Sequence, residues 1–195
     1  MKKTENINWL QYNEQTKKNP PRPLLLKALE LVGQHKGNAV DIGCGAGNES
    51  IFLCDNGWNV FSLDKNAEGL NNLQEKYPQI QILHSSFENL EELPQSDLVI
   101  AFFSIPFCAP QYFDKFIDVI LNSVKITGRL AANFFGLNDE FAKSNTDMTF
   151  CNAETVKSFF ADFEIEYFNE AEFNGKKANG EDKYWHIMDI IAKKI

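Results

Sequence analysis

The stretch AVDIGCGAGNES, residues 39–50, sets glycine at positions 43, 45 and 47, directly behind a short apolar run. Glycine packs nothing and costs backbone entropy, so a core strand has no use for it at every second position. The pattern instead describes a strand, NAVDIG at 38–43, that ends in a tight turn. The turn opens a helix over NESIFLCDNG, 48–57, which Gly57 stops. A strand, a glycine turn and a helix N-terminus together bring bare backbone up to a ligand.

Outward from this unit the chain alternates. WNVFSLD (58–64) reads as a strand, NAEGLNNLQEKYP (66–78) as a helix ended by its proline, and IQILHSS (80–86) as a strand. SDLVIAFFS (96–104) is a buried strand, QYFDKFIDVILNSV (111–124) has apolar residues at helical spacing, and GRLAANFFG (128–136) is a further strand. Repeated β-α units build a mostly parallel sheet with helices on both faces. The C-terminal part differs. After the helix AETVKSFFADF (153–163), the segments EIEYFNEAEF (164–173) and KYWHIMDIIAKK (183–194) are strands separated only by a glycine-containing turn. Such a pair must run antiparallel. The expected fold is a three-layer α/β/α sandwich forming one domain over residues 1–195. NPPRP at 19–23 divides an N-terminal cap or lid segment, 1–21, from the sheet and helices of 22–195. The cap carries Trp9 and Tyr12.

The bulk numbers exclude several classes. A formal charge of −8 offers no basic footprint for nucleic acid. No stretch approaches the ~18 apolar residues of a membrane span, and no apolar run follows the first lysines as a leader would. The cysteines at 44, 54, 108 and 151 form no CxxC pair. Reduced thiols, a cytoplasmic location and no metal site are therefore expected.

The ligand follows from spacing and charge. Dinucleotide folds space their glycines G-x-G-x-x-G so that pyrophosphate can approach the helix. Here the order is G-x-G-x-G, and Asp41 stands two residues before it. A carboxylate repels pyrophosphate but suits an ammonium group. Asp64 lies at the end of the second strand, where such folds place an acid for ribose hydroxyls; the competing role is a helix cap, by Asp64 or Asn66. S-adenosyl-L-methionine joins an adenosine, an ammonium and a sulfonium without phosphate. That favours it over NAD, whose oxidoreductases are the first alternative. A non-catalytic adenosyl-ligand binder is the second.

VDIGCGAGNES with FSLDKN resembles the first two motifs of the class I S-adenosylmethionine-dependent methyltransferases, whose sheet has seven strands. FFSIPFC (102–108), NFFGLNDE (133–140) and the terminal KYWHIMDIIAKK are similar to the small bacterial tellurite-resistance-type enzymes. The resemblance implies that Asp41 and the backbone of Gly43, Cys44, Gly45 and Gly47 line the cofactor's amino-acid end. It implies further that Asp64 holds the ribose, with Lys65, Asn66, Ser86 and Phe87 beside the adenine. Ser86 departs from the acid often found there. Ala101 and Phe102 would lie next to the reactive methyl. Arg22 is either the partner of the cofactor carboxylate or a surface charge.

For the acceptor, Phe102, Phe103 and Phe107 would line a dry pocket, with Trp9 and Tyr12 over it. His186 is either a base toward the acceptor or a satisfied sheet histidine. The [DN]-P-P-[YFW] motif of enzymes that methylate planar nitrogens is replaced by SIPF at 104–107. The expected partner is a small molecule, such as a thiol or metalloid, not nucleic acid or membrane.

Overall fold

The structure, a computed structural model, describes residues 9–17 and 19–195. Seven strands form one sheet: β1 (Asn38–Ile42), β2 (Asn59–Asp64), β3 (Gln81–His84), β4 (Ser96–Ala101), β5 (Val124–Phe135), β6 (Phe163–Lys176) and β7 (Asp182–Lys194). Their spatial order is β3-β2-β1-β4-β5-β7-β6. The first five strands pair in parallel. β7 inserts antiparallel between β5 and β6. The expected sandwich and its reversed C-terminal pair are both present. Sequence periodicity understated β5, which already begins at Val124, and overstated the helix after residue 153, which ends at Ser158.

The helices are α1 (Trp9–Thr16), α2 (Pro23–Val32), α3 (Asn48–Asp55), α4 (Ala67–Lys76), α5 (Pro110–Ser123) and α6 (Ala153–Ser158). Strand alternation sends successive side chains to opposite faces, so two cores result. Val40, Ile42, Val99 and Ala101 pack with Phe113 and Phe116 of α5 and Val156 of α6. Ala39, Leu98 and Ile100 pack with Leu25 of α2, Leu53 of α3 and Leu70 of α4. Asp41 has the parity of Ala39, which turns its carboxylate toward α3 rather than into the larger core. A third cluster, built on Phe135, Phe141, Met148 and Ile187, supports Phe103 and Phe107 from behind. No helix among the described residues is long and apolar enough to cross a membrane.

β1 and β4 are sheet neighbours but not sequence neighbours; from β1 the chain leaves toward β2, and from β4 toward β5. Beyond the carboxyl ends of two strands whose connections part in this way, a crevice opens. That crevice is where the sequence put its glycines.

Candidate functional site

A cavity of about 300 Å³ lies beyond the ends of β1, β2 and β4, within the size range of small-ligand sites. Its floor is the glycine loop. The N–H groups of Gly43 and Cys44 both donate to the Leu63 carbonyl, at 2.7 and 3.0 Å, which ties the loop to β2. Gly43 has φ +71°, and a Cβ there would stand 2.5 Å from Ser104 Cβ and 3.3 Å from Phe87 Cζ. Only glycine fits. Gly47, at φ +81°, begins α3, and a Cβ there would run into Leu73 at 2.8 Å. Its role is to let the loop join the helix, and it does not line the cavity.

Asp64 closes the other side of the loop. Its Oδ2 accepts the Gly45 N–H at 2.9 Å and its Oδ1 accepts the Asn66 N–H at 2.8 Å. The cap of α4 is Asn66, which accepts the Gly69 N–H at 3.2 Å. The cap therefore falls to Asn66, and Asn66 does not reach the cavity. Asp64 faces the cavity with Lys65, Ser86 and Phe87. Phe87 is held by stacking on Phe116, ring centroids 4.6 Å apart.

Asp41 is buried and accepts a hydrogen bond from Ser50 Oγ at 2.6 Å; Ser50 in turn accepts one from Ser62 Oγ at 2.7 Å. Burial, then the nearby Glu49 carboxylate, push the Asp41 carboxyl up to about 7, against the Ser50 hydrogen bond. Burial likewise pushes the Cys44 thiol well above its ordinary range, so it sits in the floor as a neutral filler. Glu49, in the first turn of α3, accepts the Arg22 backbone N–H at 3.3 Å, and the Arg22 Nε lies 3.6 Å from the same oxygen. The guanidinium stacks over the Phe103 ring at 4.5 Å. Arg22 is thus a cavity residue rather than a surface charge.

The chain leaves β4 through a strained step. Phe103 has φ +51°, an uncommon conformation for a bulky residue. Its N–H donates to Asn133 Oδ1 at 3.2 Å, and Asn133 Nδ2 donates to Asp189 at 2.5 Å. This turn aims Phe102, Phe103, Ser104 and Phe107 at the cavity. Ala101, the residue before the turn, keeps strand parity and points into the core, outside the lining.

His186 is likewise not brought to the cavity. It lies on β7, where Nδ1 accepts the Asn138 N–H at 3.2 Å and Nε2 donates to Glu170 at 2.8 Å. Both ring nitrogens are engaged, and the ring packs against Gly136. Of the sequence's two readings, the geometry matches the satisfied sheet histidine. The opposite wall comes from α1: Tyr12, Asn13 and Thr16 line the cavity, and the Asn48 side chain donates to the Thr16 carbonyl at 2.7 Å. The side chain of Trp9 lies outside the described residues.

Asn13, Glu49 and Ser104 are lining residues that sequence reasoning did not single out. Glu49 and Ser104 lie inside quoted motifs; Asn13 had no signal, because only folding brings α1 to the loop. Among the described residues no cluster of His, Cys, Asp and Glu is arranged to hold a metal ion.

The family model described as tellurite resistance protein TehB matches residues 8–184. The structure is similar to that of TehB from Haemophilus influenzae, with TM-score 0.76 and 17% identity over 94% of this chain and 66% of that one. It is also similar to the N-methyltransferase NodS from Bradyrhizobium japonicum WM9, solved with S-adenosyl-L-homocysteine: TM-score 0.69, 15% identity, 96% of this chain and 98% of that one. A third is the 1,6-didemethyltoxoflavin-N1-methyltransferase of Burkholderia thailandensis, with bound 1,6-didemethyltoxoflavin and S-adenosylhomocysteine. There the TM-score is 0.66 and the identity 13%, over 89% of this chain and 77% of that one. No curated protein matches the chain.

Proposed function

The chain belongs to the tellurite resistance protein TehB family and has the fold of the S-adenosylmethionine-dependent methyltransferases, and from that premise we propose that it methylates a small acceptor, a thiol or a metalloid species. The observation that carries this reading is the make-up of the cavity, lined by the carboxylates of Asp41, Glu49 and Asp64 together with Phe102, Phe103 and Phe107. The carboxylates suit a cationic ligand and repel a pyrophosphate.

The residues present fit S-adenosylmethionine. Each Asp64 oxygen already accepts one backbone N–H, and a carboxylate offers about four acceptor positions. About two remain for ribose hydroxyls, held by a group that the loop itself has pre-oriented. Asp41 meets the ammonium, which draws its carboxyl back to the ionised form. Arg22, held by Glu49 and Phe103, is a cation placed to meet the cofactor carboxylate. Phe87 and Ser86 flank the adenine; Ala101 contributes through its place at the strand end, not its side chain. The described part of the N-terminal segment, α1, acts as a cap on the 22–195 unit, with Tyr12 on the cavity wall.

When bound, the cofactor would supply a methyl group on a sulfonium: the acceptor's lone pair would bond to that carbon in line as the carbon–sulfur bond breaks and S-adenosylhomocysteine leaves as a neutral thioether. The chain's part is alignment and exclusion of water, because charge is dispersed in that step rather than created. Phe102, Phe103 and Phe107 serve it by giving the cavity apolar wall. Calorimetric titration of the protein with S-adenosylmethionine, S-adenosylhomocysteine and NAD, followed by an assay for S-adenosylhomocysteine with tellurite, selenite and small thiols, tests the reading. Binding of the two adenosyl ligands with turnover of one acceptor class is expected. Binding of NAD alone would overturn it, and binding without turnover of any acceptor would favour a ligand-binding protein.

A further inference from the structure

Arg22 is held on three sides. Glu49 Oε1 lies 3.6 Å from its Nε, Tyr12 Oη accepts from its Nη2 at 3.4 Å, and its guanidinium carbon stands 4.5 Å from the centre of the Phe103 ring. The ring is the support that costs most to keep in place. Phe103 has φ +51°, a backbone conformation in which a bulky side chain is strained. Relaxed to a negative φ, the residue would point its ring elsewhere and leave the guanidinium without its seat.

The strain is held from the antiparallel side of the sheet. Asn133 of β5 and Asp189 of β7 are register partners, so their side chains stand on one face. Asn133 is buried; its Oδ1 accepts the Phe103 N–H at 3.2 Å and its Nδ2 donates to Asp189 Oδ1 at 2.5 Å. An ionised carboxylate only accepts, so Asp189 turns the amide nitrogen toward itself and the amide oxygen toward Phe103. The edges of Phe135 and Trp185, each 6.0 Å from the Phe103 ring by centroid, close the seat behind it. Neither Asn133 nor Asp189 lines the cavity.

We propose that Asn133 and Asp189 are positioning residues for the amino-acid end of the cofactor: through the Phe103 backbone they fix the ring on which Arg22 rests, and so aim the guanidinium at the cofactor carboxylate. This rests on the reading of the cavity as an S-adenosylmethionine site. Two residues of the C-terminal half of the sheet thereby act on a cation at the start of α2, without touching the ligand. A guanidinium binds a carboxylate through N–H groups in a fixed fork, so its orientation matters as much as its charge. The adenosine part of the cofactor meets other residues and should not sense the device.

Two ligands separate the ends of the cofactor: S-adenosylhomocysteine, and 5′-methylthioadenosine, which keeps the adenosine and the sulfur but lacks the amino-acid end. Their dissociation constants are measured calorimetrically on the wild type, Asn133→Ala, Arg22→Ala and the double variant. Asn133→Ala should weaken S-adenosylhomocysteine about five- to tenfold and 5′-methylthioadenosine less than twofold. In the Arg22→Ala background, itself at least about tenfold weaker for S-adenosylhomocysteine, Asn133→Ala should cost less than a further twofold. Asn133→Asp combined with Asp189→Asn keeps an acceptor for the Phe103 N–H and a donor beside it, and should restore affinity to within about threefold of the wild type. Should Asn133→Ala fail to fold, Phe103→Ala removes the ring itself and should show the same selective loss. Equal losses for the two ligands, no loss for either, a full loss that persists without Arg22, or a folded exchange variant as weak as Asn133→Ala would each overturn the proposal. If the wild type bound neither ligand, the methyltransferase reading itself would fall.

Discussion

The raised carboxyl of Asp41 makes cofactor affinity depend on pH in a way that can be worked out. An aspartate ordinarily near 3.8 is pushed to about 7, chiefly by burial and then by Glu49. At about 1.36 kcal/mol per tenfold, ionising it in the free protein costs roughly 4 kcal/mol more than in an unfolded chain. Between about pH 4 and pH 7 the native state thus holds a proton that the unfolded state lacks. This group's contribution to stability falls as pH rises through that window, and the full penalty stands above pH 7. A bound ammonium reverses the balance, since it favours the ionised carboxylate. Below pH 7 binding must then expel a proton, so affinity for S-adenosylhomocysteine should weaken about tenfold from pH 8 to pH 6 and approach a further tenfold per unit below that. Calorimetry in two buffers of different ionisation enthalpy should count close to one proton released at pH 5.5 and close to none at pH 8. Asp41→Asn should bind about ten- to a hundredfold more weakly at pH 8, through the lost charged contact. It should show no such slope, and above pH 7 it should unfold at a higher temperature than the wild type when ligand-free. A wild-type affinity that changes less than twofold between pH 8 and pH 6, or an equal slope in Asp41→Asn, would refute the placement of Asp41 against the ammonium.

Three further outcomes test other parts of the structure. Gly43→Ala adds a Cβ 2.5 Å from Ser104 Cβ on a residue at φ +71°, so it should cost about 2–4 kcal/mol of stability and abolish cofactor binding; denaturant unfolding and titration report the two separately. His186→Ala removes the partner of the Asn138 N–H and of Glu170, and should lower stability by about 1–3 kcal/mol with cofactor affinity and turnover unchanged; loss of turnover in a fully folded variant would restore the histidine as a base. Lys183 is fully buried, with its ammonium on both oxygens of Asp139 at 2.6 Å and 3.6 Å from the Trp185 ring centroid. Lys183→Met leaves that carboxylate uncompensated and should cost about 3–5 kcal/mol in urea unfolding, with a smaller loss when Asp139→Asn is added.

How much of this was legible beforehand depends on the range of the interaction concerned. The alternating elements, the parallel-to-antiparallel change at the C-terminus and the glycine turn are consequences of local pattern. Periodicity, glycine spacing and a short turn each act over a few residues, so the sequence by itself determined them. Asp41 and Asp64 were readable for the same reason, as each stands at a fixed offset from a strand end. What only the tertiary structure decided involves contacts between distant segments. Ala101 falls outside the cavity while Phe102 falls inside, because the chain turns at Phe103, whose positive φ is held by Asn133 thirty residues away. His186 is taken up by Asn138 and Glu170, which pairing of β6 with β7 and the turn after β5 bring to it. Asn13 meets the glycine loop only because α1 folds back across it. Ser104 is the extreme case: among the described residues its buried hydroxyl meets no hydrogen-bond partner, and that is a property of everything packed around it. Local pattern places residues on elements; which of them face one another across a cavity is set by how those elements pack.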